Sequence, residues 1–208
     1  MVDVAKSLRT AVVLEYVTIT ASAIEGCLAL VSGILAGSVA LVAFGADSVI
    51  EMLSAFVVLG RLNAMVRSDD ADPGKDHRSH RALAILFFAL VTYVIIIAAL
   101  ALLRRTHPSE NVLGLSVCVA SLVTMPALAL SKRATSVRLN ESRFTHVARL
   151  VEADASETAL CGLLSVSTLV GVILAKWVGW WWADPVASLI VVYFATREGR
   201  EAWACRPD

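Results

Sequence analysis

This 208-residue chain is poor in charge, in aromatic side chains and in clustered cysteine or histidine. Charged residues make up 17% of it, where a water-soluble domain carries about 25%. So little charge excludes a disordered chain and a soluble nucleic-acid binder. With 11 glycines and 5 prolines, it is neither collagen nor a low-complexity linker. Cys27, Cys118, Cys161 and Cys205 are too scattered for a disulfide framework, and no CxxC or Cys/His zinc spacing occurs. His77, His80, His107 and His146 all fall between the apolar runs. The runs therefore hold no nucleophile–base pair, and a membrane enzyme is the least supported class.

Apolar residues are abundant. They form 58% of the chain, and mean hydropathy is +0.74. A spanning helix needs ~20 mostly apolar residues. Six runs qualify, at about 11–34, 38–60, 82–103, 112–131, 148–176 and 180–196, the last one marginal. None alternates as a barrel strand would, so helices must carry the backbone hydrogen bonds through lipid. Lys6 and Arg9 precede the first run, but that run far exceeds the ~7–15 residues of a signal peptide's apolar region. The expected fold is an all-α polytopic membrane protein with six transmembrane helices over 11–196. A cytoplasmic N-terminus at 1–10 and a short cytoplasmic tail at 197–208 flank it.

Formal net charge is zero, yet the basic residues are segregated. The N-terminus holds Lys6 and Arg9. The second-to-third connection holds Arg61, Arg67, Lys75, Arg78 and Arg81, and the fourth-to-fifth holds Lys132, Arg133, Arg138, Arg143 and Arg149. The tail adds Arg197, Arg200 and Arg206, whereas the opposite side has only Arg104, Arg105 and Lys176. The positive-inside rule then puts both termini in the cytoplasm, as an even number of spans requires. Trp177, Trp180, Trp181 and Trp182 form an interfacial belt on the outer side. Asp184-Pro185 reads as the capped start of helix six. Gly33 and Gly37 bracket a short outer turn.

Carboxylates stand inside these runs. Glu15, Glu25, Asp47, Glu51, Glu152, Asp154 and Glu157 do so, and no Lys or Arg is expected within spans one to five before Lys176. Each buried charge costs about 2.5–3.5 kcal/mol on insertion scales. Such carboxyls must be protonated, reach water or hold a cation. Asp47 and Glu51 are i and i+4, on one face of helix two. Asp154, Glu157 and Cys161 are i, i+3 and i+7, again on one face. Depth pairs Asp47 and Glu51 with Glu157 and Cys161, and places Asp154 nearer the cytoplasmic mouth as an entry or accessory residue. Three carboxylates and a thiol suit a four-coordinate divalent metal: zinc, or manganese or iron, with the thiolate favouring softer ions. Glu25 is compatible with a proton carrier, an accessory ligand or an interhelical hydrogen-bonding acid. Glu15 and Glu152 read as solvated at the cytoplasmic ends. Asp69, Asp70, Asp72, Asp76, His77 and His80 read as a solvated loop that also attracts cations.

The same residues carry a resemblance to the transmembrane domain of the cation diffusion facilitator, or cation efflux, family, over about residues 11–200. Gly37-Ser38-Val39-Ala40-Leu41, then Ala46-Asp47-Ser48-Val49-Ile50-Glu51, resembles the family's "GS-ALLA…D-S…D" segment. Glu152-Ala153-Asp154-Ala155-Ser156-Glu157 resembles its "ADAxHxxxD" segment, with Glu157 where His is usual and Cys161 where Asp is usual. Gly179-Trp180 and Ala183-Asp184-Pro185-Val186-Ala187 resemble its approach to helix six. The resemblance implies a divalent cation as substrate (zinc, manganese, iron, cobalt or cadmium) and export from the cytoplasm by proton antiport. It also implies a homodimer in a bacterial inner membrane, with no prosthetic group and no nucleic-acid partner. Asp47, Glu51, Glu157 and Cys161 would be metal ligands. The family commonly adds a cytoplasmic domain after helix six, so the expectation is a branch without it. Two other readings stay open. One is a proton-coupled exporter of organic cations centred on Glu25, against which Tyr16 is the only aromatic residue between Met1 and Phe44. The other is a metal-binding membrane sensor or assembly protein that does not transport.

Overall fold

The computed structural model describes residues 4–67, 73–105, 112–141 and 145–204. Among them are six α-helices and no strand. They are α1 (Val4–Ala36), α2 (Val39–Arg67), α3 (Pro73–Arg104), α4 (Val112–Glu141), α5 (Thr145–Ile173) and α6 (Ala183–Ala204). A single π turn, Leu174–Val178, extends α5, and Gly179 ends it at φ 74°. Five helices are long and apolar enough to cross a membrane. α6 lacks so apolar a window, in keeping with its marginal run.

The helices run well past the apolar stretches. α2, α4 and α5 continue into residues that the sequence assigns to long cytoplasmic connections, and α3 begins at Pro73, so Asp76, His77 and His80 are helical. Asp69, Asp70, Asp72, His107 and Cys205 lie outside the described residues. Continuing the helix satisfies backbone groups that a loop at the membrane surface would leave to water.

α1 pairs with α2 and α4 with α5, and these two hairpins pack through α1 against α4 and α2 against α5. α3 and α6 pair with each other and lie against α2 and α5. The α1–α2 hairpin is close. Gly37 makes the turn at φ 66°, a conformation that glycine adopts without strain. Gly33 serves the other purpose: a Cβ there would meet the Val42 nitrogen at 2.7 Å. At Gly45, a Cβ would meet the Leu30 nitrogen at 2.7 Å. These contacts bring the backbones of α1 and α2 together and set polar residues of one opposite those of the other.

The apolar core runs through Leu41, Phe44, Phe87, Val94, Met125, Leu164 and Val191. A second cluster, with Ala11, Val58, Leu62, Leu139, Val147 and Val151, closes the end opposite the Gly37 turn, between α1, α2, α4 and α5. Outward faces carry exposed Val, Ile and Leu, as a lipid-facing surface should. Trp177, Trp180 and Trp182 are exposed at the outer end, with Trp180 and Trp182 stacked at 5.2 Å.

Asp184 does cap a helix, but not its own. It sits in the first turn of α6, buried, and accepts from Ser38 Oγ at 2.5 Å and from the Val39 nitrogen at 2.8 Å. Ser38 Oγ in turn accepts from the Leu41 nitrogen at 3.2 Å. The carboxylate thus satisfies the orphan N–H groups at the start of α2, where the helix dipole favours negative charge. It ties α6 to the outer end of the helix that carries Asp47 and Glu51.

Candidate metal centre

Two polar layers lie inside the bundle. The first is between α2 and α5, with α1 beside it. Asp47 and Glu51 sit roughly 12–18 Å below the outer start of α2. Glu51 is buried and accepts from Ser22 Oγ of α1 at 2.9 Å. Glu157, half-buried on α5, accepts from Ser54 Oγ of α2 at 2.6 Å. The Cys161 thiol is buried and faces Asp47 and Glu51 closely enough to interact with both electrostatically. Glu51 Oε1 and Glu157 Oε1 are buried and have no partner. The four residues that the sequence paired by depth are therefore neighbours across the α2–α5 contact. In this arrangement no three His, Cys, Asp or Glu side chains among the described residues close to metal-holding distance. The serines instead hold one oxygen each of Glu51 and Glu157.

Glu25 flanks this layer from α1. It is buried, accepts from Thr124 Oγ1 of α4 at 3.1 Å, and leaves Oε2 without a partner. Pro126, two residues further along α4, interrupts that helix's hydrogen-bond ladder and packs beside Gly162, the neighbour of Cys161. Glu198 of α6 is also within electrostatic reach of Asp47, a carboxylate that the sequence reading did not consider.

The second layer corrects the sequence reading. Lys132 is not in a cytoplasmic connection but fully buried on α4, roughly 30 Å from that helix's outer start. Its ammonium donates to Glu15 Oε2 at 3.3 Å, to Thr158 Oγ1 at 3.2 Å and to Asp154 Oδ2. Glu15, expected to be solvated, is fully buried, and Asp154 is nearly so. The bundle thus does contain a basic partner for carboxylates. Glu152 is half exposed as expected, with Arg133 at 3.8 Å.

The two layers differ in charge. Asp47, Glu51 and Glu157 form no ion pair among the described residues, whereas Glu15 and Asp154 share Lys132. Anionic groups at mid-depth with unused oxygens call for a cation or for protons. The sequence profile of the cation efflux transmembrane domain matches residues 16–203. That span covers the first layer, Lys132 and Asp154 of the second, and nearly the whole chain. This chain belongs to the cation efflux family. Its members are cation transporters. Among curated proteins, none is similar enough to name as a relative.

Proposed function

We propose that this cation efflux protein exports a divalent metal from the cytoplasm in exchange for protons. Asp47, Glu51, Glu157 and Cys161 are the ligands. The observation that carries this reading is the α2–α5 layer: three carboxylates and a thiol packed together, with no ion-pair partner among the described residues, and with Glu51 Oε1 and Glu157 Oε1 buried and unbonded.

Ionised carboxylates bind the metal on the cytoplasmic side. Protonation from the other side weakens the ligands and releases it, since metal ligands must be deprotonated to bind. The Ser22 and Ser54 hydroxyls hold Glu51 and Glu157 in the metal-free state and release them as the ligands draw in. Three oxygens and one sulfur suit manganese, iron or zinc, and the thiolate widens the range to cadmium. Glu25 stands beside the site as the accessory carboxylate, a proton carrier or an outer ligand. The reading extends to a homodimer in a bacterial inner membrane, which the native mass in nanodiscs checks.

The test is metal uptake into proteoliposomes under an imposed pH gradient, with zinc, manganese, iron, cobalt and cadmium in turn. Uptake of one or two of these metals, lost in Asp47→Asn, is the expected result. Full flux in that variant would sink the ligand assignment. Metal bound at equilibrium but never moved would favour the sensor over the transporter.

A further inference from the structure

The Glu15–Lys132–Asp154 layer is unused by the site just described. All three side chains are buried, and they come from three helices, α1, α4 and α5. Each carboxylate gives one oxygen to the ammonium and keeps another, Glu15 Oε1 and Asp154 Oδ1, buried with no partner. One positive charge thus faces two carboxyl groups whose capacity to accept is half used. A divalent ion supplies the second charge and takes up both unused oxygens.

We propose that Glu15 and Asp154, with Thr158 Oγ1, form a second site for the divalent cation, on the cytoplasmic side of the first. Lys132 is the tethered cation that holds this site until metal displaces it. The proposal rests on the reading of the chain as a divalent-cation transporter.

The layout makes the exchange physically reasonable. A lysine ammonium is a compact charge on a flexible four-carbon stem. One turn further along α4, a surface groove lined by Ser136, Asn140, Arg149 and Glu152 opens between α4 and α5. The displaced ammonium has water and the Glu152 carboxylate in that direction. Two buried carboxylates cannot stand without a neutralising partner, so the site is never empty of positive charge. When the metal moves on to Asp47, Glu51, Glu157 and Cys161, Lys132 returns and its charge opposes backward movement.

The experiment uses the full chain in nanodiscs with manganese or cadmium alone as probe, and counts bound metal per chain by equilibrium dialysis. The background is Asp47→Asn/Glu51→Gln, which disables the first site. Adding Lys132→Gln to it is expected to yield one bound metal per chain. Adding Glu15→Gln and Asp154→Asn as well is expected to remove that metal. No metal gained on Lys132→Gln overturns the proposal. The count needs neither transport nor the first site, so a failed transport reading appears separately, as absent flux in the unaltered chain.

Should Lys132→Gln not fold, Glu15→Gln in the otherwise unaltered chain decides. It leaves a neutral Lys132–Asp154 pair. KM for cytoplasmic metal is expected to rise about tenfold with kcat nearly unchanged. An unmoved KM means that Glu15 serves structure only, and the proposal falls.

Discussion

The two carboxylate layers of this bundle answer the same physical problem in opposite ways. Toward the end of the bundle where α1 begins, Glu15 and Asp154 have a cation of their own in Lys132. At mid-depth, Asp47, Glu51 and Glu157 have hydroxyls, a thiol and one another, but no ion pair among the described residues. A carboxylate that brings its own counter-ion is stable without a visitor. One that does not must be protonated or filled from outside. The contrast separates a layer already neutralised by the chain's own lysine from a layer with no cation of its own among the described residues.

The largest expected effect breaks the contrast at mid-depth. Glu51→Gln removes the charge of a proposed ligand while keeping its shape and the bond from Ser22. Flux in proteoliposomes should fall to background, and added metal should no longer raise the unfolding temperature as it does for a protein that binds it. Retained metal protection in this variant would mean that Glu51 is not a ligand.

Next comes the layer with its own cation. Lys132→Met leaves two buried carboxylates without their partner, and breaking a buried pair from one side costs about 3–5 kcal/mol. Unfolding in mixed micelles should show that loss. Adding Glu15→Gln and Asp154→Asn should recover most of it. A lack of recovery would mean that packing, not charge, is what Lys132 supplies.

Gly45→Ala sharpens the comparison from the side of geometry. A Cβ 2.7 Å from the Leu30 nitrogen forces α1 and α2 apart. Overpacking of this kind costs about 1–3 kcal/mol. It should also weaken metal affinity, because Ser22 and Glu51 are brought together by the same contact. Normal affinity would show that the α1–α2 spacing does not matter to the site.

A smaller effect, about 1–2 kcal/mol, is expected for Asp184→Ala, which uncaps α2 from outside both layers. The smallest belongs to Glu152→Gln. Its carboxylate is half exposed, and its contact with Arg133 is 3.8 Å long. Surface changes of this kind stay within about 0.5 kcal/mol. Flux should be unaltered, and a large loss would bring Glu152 into the transport path.

Much of this was legible from residue types and spacing. The apolar runs announced the spans, and the i, i+4 spacing on α2 and the i, i+4 spacing of Glu157 and Cys161 on α5 set those side chains toward one another, while Asp154 turned to Lys132 instead. Lys132 was missed because the apolar run ends at about residue 131 while α4 continues to Glu141. A signal was present. In an antiparallel hairpin, residues equally distant from the turn share a depth. Lys132 and Asp154 stand equally far from residue 143, just as Ser22 and Glu51 do, nearly, from Gly37.

The sequence by itself therefore determined the all-helical spanning fold and the faces on which its acids stand. Those follow from the hydrogen-bonding demands of lipid and from the period of a helix, both local. Only the tertiary structure decided which acids receive a counter-ion and which do not. That choice depends on how α1, α4 and α5 meet around Lys132, and on the carboxylate of α6 that caps α2. Neither contact is encoded within one helix.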